Sequence, residues 1–178
     1  MSNLRYLKKE TMGSAVASFS ITDIFSTDYD VYYINIPTLH MANQVSLRMR
    51  FINASGSVLT SDYNLAQRIY YSHAGFGESK LTNQSYLQLG YYDTDALASG
   101  MGVSMYIYNP TVTGNNTYIQ SQANFYEQVG GAGDGTKTIG NIENTSSITG
   151  LNFINHTGAN FNAFEVVAYG IRVDEWYK

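Results

Sequence analysis

Val45-Ser-Leu-Arg-Met-Arg-Phe51 limits this chain more than any other stretch, because Val45, Leu47, Met49 and Phe51 alternate with Ser46, Arg48 and Arg50. Successive side chains of a strand point to opposite faces, so the run presents one apolar and one polar side. Helical winding would scatter the two kinds around the axis. Comparable runs are expected as strands at 15–21, 29–36, 65–72, 86–92, 103–108, 117–126, 136–142, 147–154 and 164–173. Asn53-Ala-Ser-Gly56, Asn109-Pro110 and the 130–135 glycine run separate them as turns or a flexible loop. Pro37 is expected to end its strand, and Gly170 to mark a bulge or a close approach. About ten strands and no convincing helix predict an all-β fold, an antiparallel β-sandwich of jelly-roll type. Residues 14–178 form its single domain. Residues 1–13, polar and locally basic, are either an arm that docks on a neighbour or a first edge strand.

Composition narrows the function. Sixteen of the 178 residues are Tyr, charged residues make up 13%, and cysteine is absent. No disulfide framework or thiolate metal site is then available. A net charge of −4 disfavours nucleic acid, which needs a basic stripe. No segment has the length of a membrane span, and the first ten residues lack the apolar region of a secretory leader. The expectation is a soluble product made in a cytoplasm.

Motifs for catalysis are weak. Gly130-Gly-Ala-Gly-Asp-Gly-Thr-Lys137 lacks the Gly-Lys-Ser/Thr order and the following helix of a phosphate loop. His40, His73 and His156 are far apart, and neither Asp23, Asp28 and Asp30 nor Asp93 and Asp95 has calcium-loop spacing. Glu78, Glu127, Glu143 and Glu165 suggest no acid pair. No enzyme activity, cofactor or metal is expected. The pairs Tyr32-Tyr33, Tyr70-Tyr71 and Tyr91-Tyr92 should each send one ring into the core and one outward. Outward rings suit a subunit interface or a sugar-stacking platform. Tyr91, Tyr92, Tyr108 and Tyr118 are the candidate contacts.

The segments Ser18-Phe-Ser-Ile-Thr-Asp-Ile-Phe-Ser-Thr-Asp-Tyr-Asp-Val-Tyr-Tyr-Ile-Asn-Ile36, Leu47-Arg-Met-Arg-Phe-Ile-Asn-Ala-Ser-Gly-Ser57, Ile107-Tyr-Asn-Pro110 and Val167-Ala-Tyr-Gly-Ile-Arg-Val173 occur in an informative order. That order resembles small virion proteins and fibre-tip domains of tailed bacteriophages, especially marine cyanophages. The resemblance implies a jelly-roll-like sandwich, commonly a homotrimer, exposed on a virion and carrying no catalytic residues. A structural protein docking on a capsid, neck or tail is the leading expectation. Leu4, Arg5, Tyr6, Leu7, Lys8 and Lys9 would anchor it to other virion proteins. The alternative is a receptor-binding fibre-tip or head-fibre domain that recognises host-surface glycans.

Overall fold

The computed structural model describes residues 3–42, 46–90, 100–127, 132–143 and 146–172. Among them no helix occurs. The strands are β1 Leu4–Thr11, β2 Ser18–Ile21, β3 Val31–Met41, β4 Leu47–Asn53, β5 Tyr63–Tyr71, β6 Gly75–Gln84, β7 Leu87–Gln88, β8 Met101–Tyr108, β9 Thr117–Glu127, β10 Ala132–Ile142, β11 Ile148–Asn155 and β12 Phe161–Ile171. An eight-stranded sheet runs β1-β12-β3-β8-β9-β10-β5-β6, and a four-stranded sheet runs β2-β11-β4-β7. All their pairings are antiparallel. The chain passes back and forth between the sheets, which pack as a β-sandwich, as expected.

The core follows from the alternation. Met49 and Phe51 of β4, with Phe153 of β11, face Ile34 and Ile36 of β3, Met105 and Ile107 of β8 and Ala168 of β12 in one buried cluster. Two buried tyrosines tie irregular backbone to this core. The Phe51 N–H donates to the Tyr63 hydroxyl at 2.8 Å, which donates to the Leu59 carbonyl at 3.1 Å. The Ser26 N–H likewise donates to the Tyr32 hydroxyl at 2.8 Å, which returns a bond to the Ser26 carbonyl at 2.5 Å. Burial pushes both phenols above their ordinary pKa, so each stays a neutral donor.

Several local expectations are corrected. β3 runs through Pro37 instead of stopping there, because the ladders on both sides shift register around it. The missing N–H therefore costs no pairing. Gly133 to Gly135 belong to β10 and not to a loop, paired with β9. β6 was not expected as a strand, since Gly75-Phe-Gly-Glu-Ser-Lys-Leu-Thr-Asn-Gln84 has too few apolar residues to alternate. It forms because β5 offers it a ladder. Gly170 marks a close approach: a β-carbon there would lie 2.5 Å from Tyr29 Cγ. Of the two forms open to the first residues, Leu4–Thr11 takes the edge strand, paired with β12.

Candidate contact surface

The outer face of the large sheet is built by register. Leu4, Ile171, Val31, Tyr108 and Tyr118 are successive cross-strand partners on β1, β12, β3, β8 and β9. One pleat away, Tyr6, Tyr169, Tyr33, Tyr106 and Gln120 make a second row on the same strands. Neither row contains a charged side chain. The ring centroids of Tyr6 and Tyr169 are 6.1 Å apart, those of Tyr169 and Tyr33 6.0 Å, and those of Tyr33 and Tyr106 5.2 Å. Such pairs add about 0.5–1.5 kcal/mol each beyond the area they bury.

Much of this ladder remains open to solvent. Tyr6 is 63% exposed, Tyr118 48%, Leu4 42% and Tyr106 41%. The exposed large apolar side chains of the described residues, Val58 and Val112 apart, all lie on this one sheet face. Burial and the neighbouring Tyr106 and Tyr169 phenols raise the Tyr33 pKa, while a bond with the Ser104 hydroxyl opposes the shift. Tyr33 therefore stays protonated, and the row offers rings and hydroxyls, the chemistry of a contact surface.

The expected anchoring residues split into two groups. Leu4, Arg5 and Tyr6 are exposed. Leu7 packs against the core. The Lys8 ammonium donates to the Thr22 carbonyl at 3.1 Å and pairs with Glu10, and Lys9 pairs with Glu165 at 2.6 Å. Tyr108 and Tyr118 face each other across β8 and β9. Tyr91 and Tyr92 lie outside the described residues. Of the tyrosine pairs, Tyr32 goes inward and Tyr33 outward, as the pleat requires, and Tyr70 is outward with Tyr71 half-buried. Tyr106 and Tyr169 were missed, although the spacing of Tyr106 and Tyr108 at i and i+2 puts both on one face.

One buried carboxylate needed a catalytic test. The Asp134 side chain is fully buried beside a cavity of about 470 Å³. One oxygen accepts from the Ser72 N–H at 2.8 Å and the Ser72 hydroxyl at 3.1 Å, and the other lies 3.9 Å from His73 Nδ1. The hydroxyl donates to the carboxylate and not to the imidazole, so the three do not form a nucleophile–base–orienter series. Asp134 instead pins the turn between β5 and β6. Among the described residues, no three His, Asp or Glu side chains cluster in metal-binding fashion. No protein-family model matches the chain, and no curated protein matches it.

Proposed function

We propose that this chain is a bacteriophage virion structural protein that acts by stoichiometric contact, without turnover, and self-associates as a homotrimer through the tyrosine rows. The observation that carries the reading is the uncharged ladder from Leu4 and Tyr6 to Tyr118 on the open face of the sheet. Strands apolar on both sides belong in sheets covered on both sides. β3 places Tyr32, Ile34 and Ile36 in the core, yet turns Val31 and Tyr33 outward. Burying such a surface contributes roughly 25 cal/mol per Å² before ordering costs. The virion assignment draws on the order of segments resembling phage virion and fibre-tip proteins. The passage of the chain between the two sheets is compatible with the jelly-roll winding of that group.

Of the residues expected to anchor the chain to another virion protein, Leu7, Lys8 and Lys9 are engaged within the chain and Leu4 and Tyr6 belong to the rows, which leaves Arg5 for that contact. Tyr108 and Tyr118, which would serve a host glycan in the alternative function, continue the same uncharged field. They count first toward contact between protein surfaces.

Light scattering coupled to size exclusion tests the self-association. The expected mass is that of a trimer, and Tyr106→Glu should lower it to that of one chain. A single-chain mass for the unmodified protein would overturn the proposal. A map of the intact particle tests the location: a capsid lattice site means decoration, a distal appendage means adhesion, and absence from the particle removes the virion assignment.

A further inference from the structure

The same sheet face changes character at its other end, where β10, β5 and β6 carry a groove of about 640 Å³. That volume is in the range of small-ligand sites. Its floor is low because Ala66 stands between Ile139 and Lys80 in the ladder. In the neighbouring row, Lys137, Arg68 and Glu78 are successive partners. Beyond them, Tyr70 meets Phe76 edge to face, with ring centroids 5.7 Å apart. The Arg68 guanidinium lies 4.7 Å from the centre of the Phe76 ring and also pairs with Glu78. Phe76 nevertheless remains 68% exposed and Ile139 60% exposed.

Charge selects the occupant. Three cations, Arg68, Lys80 and Lys137, share this groove with the single carboxylate of Glu78, in a chain of net charge −4. Among the described residues no carboxylate comes within ion-pairing distance of Lys80 or Lys137. The groove runs over the sheet face, where the backbone groups of β5 are already bonded into ladders on both sides. The free edge at this end of the sheet is the far side of β6, so a peptide adding as a strand would dock there, and recognition over the face of β10 and β5 falls to side chains. Open aromatic rings beside spare cations suit a sugar ring, whose C–H face is apolar, carrying negatively charged substituents.

We propose that this groove binds an anionic glycan, a sugar chain bearing carboxylate or sulfate groups, with Lys80 and Lys137 contacting the charges and Tyr70 and Phe76 contacting the ring faces. The site lies across the sheet from the tyrosine rows and does not rest on the self-association or on the virion assignment.

Calorimetric titration of the full chain with three probes tests this: a galacturonate oligomer, a sulfated heparin-type oligomer and a neutral glucose oligomer. At least one anionic oligomer should bind, and the neutral one should bind at least about tenfold more weakly. Lys80→Gln together with Lys137→Gln should weaken anionic binding by about tenfold or more, and Phe76→Ala should weaken it further. Tyr106→Glu should leave it unchanged while lowering the mass in solution, which separates this site from the proposed trimer. Failure of both anionic oligomers, equal binding of the neutral one, or binding indifferent to the lysine and Phe76 substitutions would each overturn the proposal.

Discussion

The two ends of one sheet face differ in what lies behind them. At the β12, β3 and β8 end, the inner side chains are apolar and pack on the four-stranded sheet in a dry core. At the β10 and β5 end, the inner side chains include Gln67, Thr136 and Thr138. These reach residues that follow or belong to β7: the Thr136 hydroxyl donates to the Leu89 carbonyl at 2.9 Å, and the Thr138 hydroxyl to the Gln88 carbonyl at 3.2 Å. Gln67 joins them through its amide, 2.8 Å from the Thr138 oxygen. The short strand β7 leaves carbonyls without ladder partners, and buried carbonyls need donors. The outer face mirrors this division, with neutral tyrosines over the dry core and cations over the polar network. One antiparallel ladder can thus carry two different surfaces, because its inner and outer sides are set strand by strand.

The comparison can be broken most strongly at its glycines. Gly170→Ala behind the tyrosine end would force a β-carbon to 2.5 Å from the Tyr29 ring. Gly140→Ala at the charged end would bring one to 2.7 Å from the Asn64 carbonyl oxygen. Each should destabilise by about 2 kcal/mol in urea unfolding, and the Gly140 change should cost more because backbone yields less than a ring. Asp134→Ala comes next, with a loss of about 1–3 kcal/mol as Ser72 loses its acceptor. Its amide exchange should quicken in the β5–β6 hairpin and not in β3 or β12; uniform quickening would mean that the two ends open as one unit.

Smaller effects sharpen the contrast. Glu78→Gln should change stability by less than about 1 kcal/mol, since the Arg68–Glu78 pair is exposed and screened. The same substitution raises the net positive charge of the groove and should tighten anionic binding, which a titration reads directly. His156 gives the smallest effect. Burial, and then the nearby Arg48 cation, lowers its folded-state pKa. Below an unfolded value of about 6.5 the unfolded chain binds the extra proton first, so acid should slightly favour unfolding. His156→Asn should remove that part of the pH dependence, seen as a flatter denaturation midpoint between about pH 7 and pH 5.

Much of the sandwich was legible because alternation is local. Val31 to Ile36 and Leu47 to Phe51 each announce their own inner faces. The tyrosine rows were only half legible. Tyr106 and Tyr108 share a face by spacing, but the meeting of Tyr6 with Tyr169 depends on pairing the first strand with the last, which no local pattern contains. β6 and the start of β10 were hidden for a related reason. Their glycines and polar residues lower strand propensity, and a neighbouring ladder overrides it. The groove was illegible because Arg68, Lys80 and Lys137 lie on separate strands and come together only through register.

The pairing of β1 with β12 also has a mechanical meaning. Arg172 donates its N–H to the Asn3 carbonyl at 3.2 Å, so the two described extremities leave the same corner side by side. A load that drew them apart would break the hydrogen bonds of this seam one after another, as a zipper opens, rather than all at once. The seam would yield at low force from Leu4 toward Thr11, carrying Tyr6 away from Tyr169 while the four-stranded sheet stayed intact.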